Sequence, residues 1–264
     1  GEYVTLEQGT GMVHSSPAYG VDDFLSCRRY GMKDEEMLTP VQGDGTFAVD
    51  LPFFGGQRIW DANPRIVEKI REAGNLLHAE KFTHSYMHCW RHKTPIIYRA
   101  TTQWFAGMDD VPGYRGAKPA EPLRATALRG IENTRFYPAW GKSRLYAMIA
   151  NRPDWCISRQ RVWGVPIIVF YCEKCAEPLT DRKILDRVVE LFAEHTADVW
   201  YDRSAAELIG PGVKCARCGC AEFRKETDIL DVWFESGVSY AAVCEPDPEL
   251  SLPADLYLEG SDQH

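Results

Sequence analysis

Two Cys-x-x-Cys turns, Cys172-Glu-Lys-Cys175 and Cys215-Ala-Arg-Cys218, constrain this chain most, because the 39 residues between them must fold back on themselves if both serve one ion. Each turn presents two sulfurs from one tight loop, and two turns complete the tetrahedral shell that zinc prefers. Four thiolates leave no position open for water, so the ion expected here is structural. Cys220, in Cys218-Gly-Cys220, is a possible substitute ligand. Nine cysteines, behind an opening Gly1-Glu-Tyr-Val-Thr-Leu-Glu7 without the basic head and apolar core of a signal peptide, favour thiols or metal over disulfides. A thioredoxin-type redox pair and unrelated buried cysteines are the alternatives. Cys27, Cys89, Cys156 and Cys244 read as small buried hydrophobes.

Around these turns the chain reads as α/β. The first ~100 residues mix short β-like runs with Gly/Asp turns such as Gly43-Asp-Gly-Thr-Phe47, and predict a β-rich domain with few helices. One helix there is well signalled: Asn63 as cap, Pro64 in first position, Ile66, Val67 and Ile70 on one face, and Gly74 as terminator. From about Thr101 the pattern changes. Leu123-Arg-Ala-Thr-Ala-Leu128 and Ser143-Arg-Leu-Tyr-Ala-Met-Ile149 predict helices, and Val165-Pro-Ile-Ile-Val-Phe170 a buried strand, a combination that suggests a parallel sheet. Between the cysteine turns one helix over 181–195 places Leu185, Val188, Val189 and Phe192 on a stripe, in an insertion expected to need its metal for want of a large core. Beyond it, Ile229-Leu-Asp-Val-Trp-Phe234 and Leu256-Tyr-Leu258 return to the core. The expected division is 1–100, 101–171, 172–222 and 223–264.

The formal charge of −8, from 30 Lys plus Arg against 38 Asp plus Glu, argues against a generic nucleic-acid binder, so any RNA contact must be regional. No apolar run approaches the roughly 18 to 20 residues of a membrane span. A second group, His84-Ser-Tyr-Met-His88-Cys89-Trp-Arg-His92, matches no standard finger spacing, and a strand would split these side chains between two faces. A polar strand and turn is the plainer expectation.

Two further segments carry chemistry. Gly9-Thr-Gly-Met-Val-His14-Ser-Ser-Pro-Ala-Tyr-Gly20-Val-Asp22-Asp23 sets glycines, a histidine and an acid pair in one short loop, where the backbone can approach a ligand closely or an Asp can cap the next helix. Asn151-Arg-Pro-Asp-Trp-Cys-Ile-Ser-Arg159-Gln-Arg161-Val-Trp163-Gly-Val-Pro166 crowds arginines and tryptophans just before an apolar run. Such residues bind phosphates, RNA or an apolar ligand at a sheet edge; equally, Arg159 and Arg161 can pair with acids of the core.

Taken with His88-Cys-Trp-Arg-His-Lys-Thr-Pro-Ile-Ile97, Asp231-Val-Trp-Phe-Glu-Ser-Gly237 and Leu258-Glu259-Gly260-Ser-Asp262-Gln263-His264, these segments resemble the isoleucyl-tRNA synthetases over essentially the whole chain. The resemblance implies a partial editing barrel, part of a Rossmann-type catalytic core and a small zinc-binding insertion. It implies a ligase that joins isoleucine to tRNA(Ile) with ATP and magnesium, in the cytoplasm, as a monomer. By position Asp23 matches the editing carboxylate that grips an α-ammonium, and His14 the pocket histidine. Ala18-Tyr19 departs from the usual Gly-His pair. Glu259, Gly260, Asp262 and Gln263 match the adenylate-binding strand end, and Arg159, Arg161 and Trp163 the substrate or tRNA side.

Such enzymes edit because one methylene in an apolar pocket distinguishes substrates by only ~1 to 3 kcal/mol, a limit for which this synthetase is itself the standard example. The ATP signatures His-x-Gly-His and Lys-Met-Ser-Lys-Ser are absent from the sequence. The chain is therefore expected to be an internal piece of a longer enzyme, unable by itself to form the adenylate. A free-standing editing hydrolase, a non-catalytic zinc module that binds RNA or protein, and a valine synthetase are the rival readings.

Overall fold

After Thr102 the chain divides into two units, in a computed structural model that describes residues 3–7, 10–110 and 121–258. In the first unit, helix α1 (Val21–Arg29) starts from Gly20 as N-cap. It carries Asp22 and Asp23 in its first turn and Arg28 and Arg29 in its last, matching the helix dipole at both ends.

Helix α2 (Ile59–Glu72) begins earlier than expected, from Arg58, so that Pro64 lies in its second turn. Proline forfeits one i→i−4 bond there, and the apolar positions of the longer helix hold it together. Its end matches expectation. Gly74, at φ +72°, donates to Arg71 O at 3.0 Å and Asn75 to Ile70 O at 3.1 Å, which is the Schellman pattern.

The β-rich reading of this unit is corrected. Among the described residues it contains the isolated bridges Val41 with Phe47, Thr46 with Arg58 and His88 with Pro95, and neither a strand ladder nor a closed barrel. An extended segment becomes a strand only where a neighbour takes its backbone hydrogen bonds, and these segments meet one at single points. Residues 75–86 form neither helix nor strand and are almost wholly exposed.

The second unit holds the sheets and most helices. In chain order they are β1 (Phe105–Ala106), α3 (Leu123–Glu132), α4 (Trp140–Ala150), β2 (Trp155–Cys156), β3 (Ser158–Arg159), β4 (Phe170–Cys172), β5 (Pro178–Leu179), α5 (Arg182–His195), α6 (Val199–Asp202), α7 (Ala205–Ile209), β6 (Phe223–Lys225), β7 (Ile229–Leu230) and α8 (Val232–Gly237). β1 pairs with β2, β3 with β7, and β4 lies between β5 and β6. All four pairings are antiparallel, not parallel as the helix-to-strand pattern suggests. The 165–170 run makes one bridge, Pro166 with Ile229, before β4 begins at Phe170. A proline has no N–H to continue a ladder. Leu256-Tyr-Leu258 also forms no strand, and Leu256 and Leu258 are exposed.

The buried apolar cluster described in this unit joins Phe170 of β4 to residues from between the cysteine turns: Ile184, Val188, Val199, Trp200, Leu208 and Ile209. Three helices fill the span instead of the single one expected, and they supply a core that the residue count alone did not promise. Along α5 the stripe is Ile184, Val188, Leu191 and Phe192, while Val189 faces water. Among the described residues no helix is long and apolar enough to cross a membrane.

Candidate functional site

The two cysteine turns are built alike. Cys172 O accepts from Ala176 N and Cys215 O from Gly219 N, both at 2.9 Å. The residue closing each turn is left-handed, Ala176 at φ +55° and Gly219 at φ +72°. Each first cysteine then donates its N–H to a carbonyl five residues on, Cys172 to Glu177 at 3.0 Å and Cys215 to Cys220 at 2.8 Å. The sheet brings the turns together, because Cys172 at the end of β4 lies opposite Phe223 in β6.

As a result the Sγ atoms of Cys172, Cys175, Cys215 and Cys218 all lie within 4.8 Å of one another. Cys172 and Cys218 approach to 3.4 Å, and Cys175 and Cys215 to 3.5 Å. A tetrahedral zinc with Zn–S near ~2.3 Å needs sulfurs about 3.8 Å apart, so the set fits such an ion after slight expansion. Burial opposes ionisation of Cys172, but the N–H groups of Cys175 and Lys174 and the neighbouring thiols bring its pKa well below the usual thiol range. The Glu177 N–H favours the Cys175 thiolate, yet burial and the three adjacent sulfurs outweigh it and push that pKa up. Ionisation of Cys172 thus opposes that of Cys175. Cys220 stands outside the set. It occupies the place that Glu177 has in the other turn, and its Sγ accepts from Glu222 N at 3.4 Å.

On the other side of the same unit, short ladders fix a polar knot. The β3–β7 register sets Arg159 opposite Ile229 and Ser158 opposite Leu230. The next residue, Asp231, donates its N–H to Ile157 O at 2.7 Å and caps α8 by accepting from Trp233 N at 3.3 Å. Its side chain is 6% exposed and receives Arg159 Nη2 at 2.7 Å and Trp155 Nε1 at 3.1 Å. Arg159 Nη1 donates further to the carbonyls of Cys156 and Ser158, each at 2.8 Å. Of the two readings open for Arg159, pairing with a core acid is the observed one. Asp231 is the partner that sequence inspection did not single out, although an acid between a strand end and a helix start is an N-cap signal.

Beside this knot lies a cavity of about 1170 Å³ with Trp155, Trp233, Ile149, Leu145, Met108 and Tyr257 among its lining. Arg124 braces one wall: it forks onto Asp109 at 2.8 and 2.9 Å and donates to Ile149 O at 2.6 Å, tying the start of α3 to the end of α4. Arg161 and Trp163, by contrast, sit on an outward turn; Trp163 is 89% and Val162 99% exposed. Gln160 pins the near shoulder of that turn through Gln103 Oε1 at 3.0 Å and Asp228 Oδ2 at 2.8 Å.

In the first unit Asp23 is half-buried in the opening turn of α1. Its Oδ2 accepts from Ser16 N at 2.9 Å, while among the described residues Oδ1 meets the Tyr3 hydroxyl, at 3.5 Å. His14 is exposed. The hydroxyl of the unexpected Tyr19 accepts from Val41 N at 3.1 Å, and Ala18 O accepts from Ala100 N, so the departure at 18–19 is woven into the unit. His88 and Pro95 flank a turn closed by Lys93 N to Cys89 O at 2.8 Å; the expected turn is present, and of the expected polar strand only the single His88–Pro95 bridge forms. Glu259, Gly260, Asp262 and Gln263 lie outside the described residues.

The sequence model of the family described as tRNA synthetases class I (I, L, M and V) matches residues 15–264, and the chain belongs to that family. Within it, the chain is 54% identical over 268 residues to the isoleucine–tRNA ligase of Aromatoleum aromaticum, covering 100% of this chain and 28% of that protein. It is similar to the isoleucine–tRNA ligases of Burkholderia multivorans, at 53% with 100% and 27% covered, and of Azoarcus sp., at 54% with 100% and 28% covered. The chain therefore spans little more than a quarter of the length of these relatives.

Proposed function

We propose that this chain works as part of an isoleucine–tRNA ligase, an ATP-dependent enzyme of the cytoplasm that joins isoleucine to its tRNA, and that the cavity beside Arg159 receives the aminoacyl group. The observation that carries this reading is the cavity itself: an apolar chamber walled by Trp155 and Trp233, with the charged pair Arg159–Asp231 at its edge. Apolar walls with a few convergent polar groups are what a small amino acid and its adenylate require. Glu259, Gly260, Asp262 and Gln263 complete the adenylate site in this reading, and exposed Arg161 and Trp163 face the RNA. The cysteine set holds zinc as a structural ion.

Editing of misattached valine belongs to the same proposal. Asp23 Oδ1, with one long contact among the described residues, is the oxygen to take an ammonium in this reading, and His14 stands exposed nearby in sequence. An editing barrel and a Rossmann-type core belong in this reading to the longer enzyme, since the described residues of this chain form neither a closed barrel nor a parallel ladder.

Binding of a non-hydrolysable isoleucyl-adenylate analogue, followed by tryptophan fluorescence, tests the first site. The expected result is preference over the glycyl analogue, and a loss of affinity of at least about tenfold in Trp233→Ala, equivalent to ~1.4 kcal/mol. Equal binding of both analogues, or an unaffected variant, refutes the assignment. Lacking both ATP signatures, the chain alone is expected to give no ATP–pyrophosphate exchange above a vector control.

A further inference from the structure

The carboxylate of Glu226 stands where the cysteine centre meets the segments around the cavity. It directly follows β6, the strand that leaves the second cysteine turn. Its Oε1 accepts from Thr227 N at 2.6 Å and Asp228 N at 3.0 Å, which shapes the turn into β7. Its Oε2 takes two side-chain donors. One is the Tyr171 hydroxyl at 2.8 Å, one residue before the first ligand, Cys172. The other is Trp104 Nε1 at 3.0 Å.

Trp104 belongs to the cavity side. Its backbone N–H donates to Ser158 Oγ at 2.9 Å and its carbonyl accepts from Ile157 N at 2.8 Å, so it borders the strand that carries Arg159. Trp200, in the core between the cysteine turns, adds a second indole, donating to Glu226 O at 3.3 Å. One oxygen atom thus links a residue adjacent to a metal ligand with a residue hydrogen-bonded to the Ser158–Arg159 strand.

We infer that Glu226 is a positioning residue, through which the metal-held sheet sets the placement of the Trp104 and Ser158–Arg159 segments beside the cavity. The inference rests on the reading of the four cysteines as a metal centre. The physical argument is that a partly buried carboxylate with two donors on each oxygen has little freedom to rotate. Any shift of β4 when the thiolates lose their cation moves Tyr171, and the shared Oε2 passes that shift to Trp104. A carboxylate that merely satisfied local donors would leave Trp104 indifferent to the ion.

The test compares indole ¹⁵N–¹H spectra of the chain loaded with one equivalent of zinc and stripped with EDTA, with the Trp104 signal assigned from Trp104→Phe. The expected result is one zinc per chain and a Trp104 indole resonance that moves between the two states. Tyr171→Phe keeps the ring that stacks on Arg224 and removes only the hydroxyl. It should still bind one zinc while the Trp104 response is lost, and Glu226→Gln should behave likewise. A chain that takes up no zinc refutes the metal reading and the coupling together. A chain that takes up one zinc with Trp104 unmoved, or a Tyr171→Phe variant that responds as the parent does, refutes the coupling alone.

Discussion

Asp231 gathers more structural roles than any other buried polar residue described here: helix cap, ion-pair partner and indole acceptor at once. Removing it in Asp231→Ala leaves Arg159 and the Trp155 N–H facing a desolvated gap and strips α8 of its cap. The expected cost is about 3 kcal/mol in a urea unfolding midpoint. Arg159→Met should cost less, about 1 kcal/mol, because the Arg159 side chain is 40% exposed and water takes over part of its role. Equal losses would show that the pair, not the cap, dominates. Burial alone would raise the pKa of Glu226, but donation from Trp104, Asp228, Tyr171 and Thr227 holds it below the usual carboxylate range. A depressed folded pKa contributes stability that is complete above the unfolded value of about 4.3 and fades as pH falls through the folded one. The stability gap between the parent and Glu226→Gln should therefore narrow below about pH 4. The cysteine ligand turns were legible from spacing alone; Asp231 and Glu226 were not, because their importance comes from partners 72 or more residues away for Arg159 and Trp155, and 55 and 122 for Tyr171 and Trp104.

Among the elements, helices were easier to read than strands. α3, α4 and α5 fall where the apolar pattern puts them, and Asp181 caps α5 by accepting from Lys183 N at 2.9 Å. On α5 the expected stripe holds at Val188 and Phe192 and fails at Leu185 and Val189, because Ile184 and Leu185, like Val188 and Val189, are adjacent and both apolar. Only the packing against Trp200 and Phe170 decides between them. Val188→Ala should cost about 2 kcal/mol, as a fully buried position, and Val189→Ala no more than about 0.5 kcal/mol. Thermal unfolding of the two variants checks the register; the reverse order would restore the stripe through Val189. The strands were harder because each ladder is only two or three residues long, and pairing direction follows from chain reversal at turns rather than from composition.

For the molecule as a whole, the two units differ in how their backbones are satisfied. The second closes its hydrogen bonds in ladders, helices and the paired cysteine turns, around one apolar cluster. In the first, the stretch 75–86 lies open between helix α2 and the turn at Cys89, with Leu76 its only partly covered side chain. A protease needs a segment of backbone that can enter its cleft, and the global stability of a fold does not shield a segment that already lies exposed outside helix and strand. Dilute trypsin should therefore cut first after Lys81, and mass spectrometry of the earliest products should find that bond broken before any within α5 or the cysteine turns. The same openness makes this the place where a label, an affinity tag or a few inserted residues can be written into the chain with least disturbance to the cavity and the cysteine centre.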